Sequence, residues 1–194
     1  MKMHPVWPAA ALLCVLPALS LQGCLPLVAG AAGGTVLVAT DRRSTGSVLD
    51  DEIIEDKIVV TIHERFKGDF HVNVTSYNGI VLLTGEVPAE AAKADIAELA
   101  RTTPKVRSVQ NELVVGPVTS MGSRSNDTLI TSKVKARFVE ANRFQINHVK
   151  VVTERGVVYL LGLVRRDEAD AAAEIARTTN GAQRVVKVFE YVAG

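Results

Sequence analysis

The sequence predicts an α+β protein built from two tandem domains of the same fold, because three stretches of the chain occur twice. Residues 71–85 (HVNVTSYNGIVLLTG) return as residues 148–162 (HVKVVTERGVVYLLG). The flanking patterns D-x-x-I-x-x-K and A-R-T-T repeat as well, and each lies 76 residues from its second copy. A repeat of this length is large enough for each copy to close a hydrophobic core of its own.

Each copy begins with a predicted helix. Its apolar residues recur four positions apart, as one buried helix face requires, and they are Ile54, Ile58 and Ile62 in the first copy and Ile130, Val134 and Phe138 in the second. Five carboxylates lie just before Ile54 or between Ile54 and Ile58, and they are Asp50, Asp51, Glu52, Glu55 and Asp56. We favour a helix start, where negative charge complements the helix dipole. A metal-binding acidic cluster is the alternative.

A hairpin, a second helix and a closing strand follow in each copy. Asn78-Gly79 is a signal for a type I′ turn, and Arg155-Gly156 takes its place in the second copy. The second hairpin strands, residues 80–84 and 157–161, are continuously apolar, as expected for a strand covered on its inner face. Alanine-rich helices (89–102 and 167–178) and last strands (106–115 and 184–192) complete an αββαβ order. This order predicts a three-stranded mixed sheet with two helices on it.

The first residues of the chain indicate export. One basic residue, Lys2, precedes an apolar stretch broken by prolines, which is too short for a membrane-spanning helix of roughly 20 residues and is typical of a secretory signal peptide. Residues 25–34 are small and apolar and predict a tether. We therefore divide the chain into a signal peptide (1–23), a lipidated N-terminus with tether (24–49), a first domain (50–115), a linker (116–124) and a second domain (125–194).

Leu21-Gln22-Gly23-Cys24 resembles the lipobox of bacterial lipoproteins. The resemblance implies that the chain is cut before Cys24 and that this cysteine is acylated. Two or three acyl chains would anchor the protein stably, which one chain cannot do. Because Leu25, and not aspartate, follows the cysteine, lipoprotein sorting implies the periplasmic face of the outer membrane. A chance Gly-Cys pair behind an ordinary signal peptide is the alternative.

The residues of the central and closing strands resemble the BON domain family. The resemblance rests on residues 79–85 (GIVLLTG) and 106–113 (VRSVQNEL) within the αββαβ order. The second copy keeps the glycines, valine and leucine of the central strand but has Lys187 where the first copy has Asn111. The resemblance to lipoproteins with two such domains covers nearly all of the mature chain. The resemblance implies phospholipid binding without catalysis, and a role in envelope integrity and at the division site.

No enzymatic constellation is found in the sequence. The four histidines are isolated, and there is no nucleophile elbow, glycine-rich phosphate loop or Cys-x-x-Cys pair. We expect no catalytic residues, no metal site, no organic cofactor and no nucleic-acid partner.

The two copies differ in charge. Residues 41–115 contain 9 basic and 13 acidic side chains, a net charge of −4, whereas residues 124–194 contain 12 basic and 8 acidic, a net charge of +4. Each basic residue near an anionic membrane surface contributes about 1 kcal/mol to binding. Only the second copy therefore has the charge to bind phosphatidylglycerol or cardiolipin.

The first helix of the second copy is the candidate lipid site. Its outer face carries a modest apolar strip with cations at its margins, which is typical of a helix at a lipid interface. The predicted lipid-binding residues are Leu129, Ser132, Lys133, Lys135, Ala136, Arg137 and Val139. An ordinary solvated face with scattered aliphatic side chains has a similar composition.

A function as a scaffold is the second hypothesis. The charged domains could dock on an envelope protein, such as an outer-membrane assembly or peptidoglycan-remodelling component. They could also dock on each other, which would neutralise the basic face.

Overall fold

The computed structural model describes residues 41–193, which form two domains of the same topology. The first domain comprises α1 (Thr45–Arg65), β1 (His71–Tyr77), β2 (Ile80–Val87), α2 (Glu90–Thr102), β3 (Ser108–Asn111) and β4 (Val114–Val115). The second comprises α3 (Met121–Ala141), a 3-10 turn (Ile146–His148), β5 (Val149–Glu154), β6 (Val157–Val164), α4 (Arg166–Arg177) and β7 (Arg184–Tyr191). The predicted αββαβ order is confirmed in both copies.

Both sheets are mixed, with the second hairpin strand in the centre. β2 pairs antiparallel with β1 and parallel with β3 and β4, and β6 has the same relation to β5 and β7. The closing strand is interrupted only in the first domain. There the Asn111 side chain accepts a hydrogen bond from the amide of Leu113 and donates one to the carbonyl of Lys93. Lys187 replaces Asn111 in the unbroken β7 and instead pairs with Asp170.

Each domain has a core between its helices and its sheet. Ile54, Ile58 and Ile62 of α1 are fully buried against β2, and the equivalent residues of α3 are buried against β6, so the predicted helix cores are confirmed. The central glycines permit close packing of the hairpins. A Cβ atom on Gly85 would lie 2.0 Å from the carbonyl oxygen of His71, and one on Gly162 would lie 2.2 Å from that of His148.

The two domains dock on each other through the sheet faces that the helices leave uncovered. Tyr77 and Leu82 of the first sheet form one buried cluster with Tyr159 and Leu161 of the second. The molecule is therefore a sandwich of four layers, with the two sheets inside and one helical layer on each outer side. This contact explains the continuously apolar runs in β2 and β6, because strands covered on both faces lose the alternation of polar and apolar residues.

The acidic group around Asp51 is not a helix start, and that prediction is wrong. α1 and α3 begin earlier, at Thr45 and Met121, each capped by the hydroxyl of the preceding serine, and no acidic residue lies in either first turn. Asp51 is buried inside its helix and accepts hydrogen bonds from the amides of Asn78 (2.7 Å) and Gly79 (2.8 Å).

Asp127 has the same function in the second domain. Its carboxylate accepts hydrogen bonds from the amides of Arg155 and Gly156, both at 2.8 Å. Both residues of this turn have positive φ, as do both residues of the equivalent turn in the first domain. A buried helix carboxylate therefore holds each hairpin turn in place, since backbone amides without water need an acceptor.

Replacing Asp127 with alanine should destabilise the protein by about 3 kcal/mol, because one buried and one partly buried amide lose their acceptor. Urea unfolding followed by circular dichroism measures this difference. Glu140→Ala, an exposed position on the same helix, is the control and should change stability by less than about 0.5 kcal/mol. Equal unfolding midpoints for the two variants would contradict the assigned function of Asp127.

Candidate functional site

The outer face of α3 places most of the predicted lipid-binding residues together in solvent. Leu129 is 58% exposed and Val139 is 64% exposed. The remaining exposed members of the predicted set are Ser132, Lys133, Lys135 and Ala136. Exposed aliphatic side chains next to lysines form a surface that can contact both acyl carbons and headgroups.

Lys133 and Lys135 are not used inside the molecule. Within residues 41–193, neither side chain has an ion pair or hydrogen bond. Their charges therefore remain available to an anionic ligand, although the domains dock on each other.

Arg137 differs from the two lysines, because its guanidinium binds the end of α4. It donates hydrogen bonds to the carbonyl of Ile175 (2.9 Å) and to the hydroxyls of Thr179 (2.8 Å) and Thr178 (3.1 Å). A cation at this position complements the negative end of the helix dipole. Arg137 thus holds α3 against α4, and most of its donors are already occupied.

The domain interface uses other charges of the second domain. Lys150 pairs with Glu55 at 2.9 Å. Arg184 lies 3.4 Å from Glu112. Burial of Tyr159, together with the nearby charge of Glu112, raises the pKa of Tyr159 to about 12. These contacts pair basic residues of the second domain with acidic residues of the first. Within residues 41–193, they leave Lys133 and Lys135 of α3 unpaired.

Two further ion pairs cross the interface, one at the buried Glu86 and one at Glu190, and Thr119 of the linker adds hydrogen bonds to Glu86. Glu86 is fully buried, accepts hydrogen bonds from the amide and hydroxyl of Thr119, and lies 3.6 Å from the guanidinium of Arg155. Arg107 binds Glu190 through both guanidinium nitrogens, at 2.7 and 3.0 Å. These contacts fix the lateral position of one sheet on the other.

Glu154 is the least favourably placed of the interface carboxylates. Burial raises its pKa, and the nearby charges of Glu86 and Asp127 raise it further. A hydrogen bond from Asn73 (2.7 Å) and the neighbouring His71 oppose this change without cancelling it. The ionised side chain therefore weakens the folded state.

Residues 41–43 connect both domains ahead of α1. Arg42 donates to the carbonyl of Leu163 (2.9 Å) and to both oxygens of Glu168 in the second domain (2.5 and 3.0 Å). Arg43 binds Asp51 in the first domain and lies over the ring of Tyr77, 3.9 Å from its centroid. We call Asp41, Arg42 and Arg43 the N-terminal strap.

The structure gives no candidate catalytic centre in the part of the chain that it describes. Residues 41–193 contain no group of three or more His, Cys, Asp or Glu side chains placed to hold a metal ion. His71 and His148 lie at equivalent positions and face Glu154 and Glu168, at 3.9 and 3.7 Å.

The structure does not test the predicted membrane anchor. Cys24 and the predicted signal peptide lie outside the described residues. No helix between residues 41 and 193 is long and apolar enough to cross a membrane.

Comparison with protein families assigns both repeats. The family model described as BON domain matches residues 50–117 and again residues 126–193. The chain belongs to the BON domain family. Its two BON domains agree with the fold predicted from the repeat, and each match covers one αββαβ unit except for the first five residues of its first helix.

Several curated proteins are similar to this two-BON chain over most of its length. Outer membrane lipoprotein DolP of Haemophilus influenzae is 40% identical over 174 residues, covering 89% of this chain and 90% of that protein. The 21 kDa hemolysin of Actinobacillus pleuropneumoniae is 36% identical, with 78% and 79% covered. Osmotically-inducible protein Y of Escherichia coli is 29% identical, with 76% of each chain covered.

Removing the strap contact with Arg42→Ala should destabilise the docked domains at neutral pH by about 1–3 kcal/mol. Burial alone would raise the pKa of Glu168, but the hydrogen bonds and charges of Arg42 and Arg165 lower it from 4.5 to about 2. A carboxylate with a lowered pKa stabilises the folded state above its unfolded pKa and loses that effect as the pH falls.

Thermal unfolding from pH 7 to pH 2 tests this expectation. The difference between Arg42→Ala and the unaltered chain should be largest above pH 5 and should shrink towards pH 2. Arg101→Ala, which removes an exposed ion pair with Glu98, is the control and should have little effect. A destabilisation by Arg42→Ala that persists undiminished at pH 2 would exclude the Glu168 contact as its cause.

Glu154→Gln should stabilise the protein at pH 8, because it removes a buried negative charge and keeps an acceptor for Asn73. Since the pKa of Glu154 is raised on folding, its penalty applies at high pH and disappears below the unfolded pKa. The melting temperature of Glu154→Gln should thus exceed that of the unaltered chain at pH 8 and match it near pH 4. A lower melting temperature at pH 8 would contradict this account.

Proposed function

We propose that this two-BON chain is a non-enzymatic outer-membrane lipoprotein whose second BON domain binds anionic phospholipid through α3. The observation that carries the proposal is the state of Lys133 and Lys135. Both remain exposed and without a partner in residues 41–193, beside the exposed Leu129 and Val139. Phosphatidylglycerol and cardiolipin are the expected ligands, because their headgroups are anionic.

The anchoring part of the proposal rests on the lipobox and on similarity. Cys24 is the acylated residue, and the protein faces the periplasm from the outer membrane. The relative named Outer membrane lipoprotein DolP supports this location. The 16 residues between Cys24 and Asp41 allow a span of at most about 60 Å even when fully extended, so the anchor keeps the two domains within that distance of the membrane.

The cellular function we propose is support of envelope integrity, with enrichment at the division site. Lipid binding by α3 would add a second membrane contact to the acyl anchor. Two weak contacts with the same membrane reinforce each other through a high effective concentration. The acyl anchor would hold the protein on the membrane, and α3 would direct it to membrane regions rich in anionic lipid.

The lipid site can be tested by NMR titration of the chain from Leu25 onwards with phosphatidylglycerol micelles. Amide shifts should concentrate in residues 127–140 and should weaken with added salt, because exposed charges are screened over about 8 Å at physiological ionic strength. Lys133→Glu/Lys135→Glu should lower the affinity at least about 30-fold, since each basic residue contributes about 1 kcal/mol.

A matched control reverses the same number of charges in the first domain, through Lys57→Glu/Lys67→Glu. Equal losses for the two double variants would mean that net charge and not α3 determines binding, and the proposal would be wrong. The intact chain is preferable to isolated domains, because separation would expose the apolar sheet faces around Leu82 and Tyr159. Arg137 is kept in both variants because it holds α4.

Acylation is tested separately by metabolic labelling with a palmitate analogue and membrane fractionation. The unaltered chain should incorporate the label and sediment with the outer membrane. Cys24→Ala should lose the label, because it lacks the thiol that is acylated in the lipobox. A Cys24→Ala chain that stays labelled in the outer-membrane fraction would rule out this anchor.

A further inference from the structure

A row of exposed aliphatic side chains runs along α1 of the first BON domain. Leu49 is 54% exposed, Ile53 is 49% exposed and Val60 is 54% exposed. At 100° per residue these positions lie in one line on the side opposite the buried Ile54 and Ile58. Neither the core of the first domain nor the interface with the second domain uses them.

The spacing of the row suits one helix lying alongside another. Asp56 falls on the same line, so that residues 49, 53, 56 and 60 alternate steps of four and three, as in the seam of a coiled coil. We call Leu49, Ile53, Asp56 and Val60 the α1 ridge. It is about 16 Å long at 1.5 Å per residue, which is enough for about three turns of a partner helix.

The charge beside the ridge is negative. Glu52, Asp56 and Glu64 are exposed and form no ion pair within residues 41–193, and Lys57 is the cation closest to the line. Such a surface repels anionic lipid and attracts a basic partner. It would also repel α1 of a second copy, which disfavours a symmetric dimer through this helix.

The order of the layers places the α1 ridge on the side of the molecule opposite α3. Because the sheets face each other, α1 lies on one outer side of the sandwich and α3 lies on the other. The positions in α3 that correspond to Leu49, Asp56 and Val60 are Ser125, Ser132 and Ala136. A continuous aliphatic row is therefore a property of the first domain and not of the fold.

We propose that the α1 ridge is a docking site for a basic amphipathic helix of another protein. The apolar residues of that helix would pack on Leu49, Ile53 and Val60, and its lysine or arginine residues would pair with Glu52, Asp56 and Glu64. Asp56 sets the register, since a carboxylate within an apolar seam needs a cation opposite it. This site does not depend on lipid binding by α3.

Three synthetic peptides of three heptads each test the proposal. The first has leucine at the seam positions and lysine at the flanking positions, the second has leucine and glutamate, and the third has serine and lysine. Each is titrated into the labelled chain from Leu25 onwards, without lipid, while amide shifts are recorded. The leucine–lysine peptide should shift residues 49–64 and bind at least about tenfold more tightly than the other two.

Variants show whether the ridge itself is the site. Ile53→Ser/Val60→Ser should weaken the leucine–lysine peptide at least about tenfold and leave the melting temperature unchanged, because both side chains are exposed. Leu129→Ser/Val139→Ser makes the matched change on α3 and should leave binding unchanged. Omitting phosphatidylglycerol keeps this result separate from that of the lipid titration.

Three outcomes would overturn the proposal. Equal binding of the serine–lysine peptide would show attraction by charge alone, and shifts outside residues 49–64 would place the site elsewhere. Concentration-dependent shifts of residues 49–64 and 129–139 without any peptide, together with faster sedimentation, would show that a second copy of the chain occupies the ridge through its own α3.

Discussion

The face-to-face packing of the two sheets determines most other features of the molecule. It buries Tyr77 and Leu82 against Tyr159 and Leu161, and it leaves the outer faces of the helical layers exposed to solvent. Because the central strands are covered on both sides, they cannot carry a binding site. Among residues 41–193, α1 and α3 are the helices that expose large aliphatic side chains on their outer faces, and both proposed binding surfaces lie there.

Charge has two separate uses in this protein. Across the interface, pairs such as Arg155–Glu86 and Lys150–Glu55 join the acidic first domain to the basic second one. Partly exposed pairs of this kind contribute little net stability, but a misaligned sheet would leave the buried Glu86 without a cation. The interface thus defines one arrangement of the domains. The lysines of α3 are outside this network, so the proposed lipid site is compatible with docking.

The sequence predicted the fold well because the repeat and the helical periodicity are local patterns. Ile54 and Ile130, with their neighbours four residues on, lie in the cores as expected. The functions of Asp51, Asp127 and Arg137 were missed, because each depends on a partner distant in sequence. The signal for Asp51 and Asp127 was nevertheless present, since both aspartates and both turn glycines recur in the repeat. Likewise, the continuous apolar runs in β2 and β6 indicated a second covered face.

The N-terminal strap attaches to both domains. Arg42 binds Glu168 at the start of α4, and Arg137 binds the end of α4 from α3, so the strap attaches directly to the helical layer that contains α3. The strap also attaches to the first domain, because Arg43 binds Asp51 and Ser44 caps the start of α1. Duplication of one domain has given two copies of the same helix with opposite charge. Under the proposed function the basic copy is the one that meets lipid, because its exposed lysines attract anionic headgroups and the exposed carboxylates of α1 repel them.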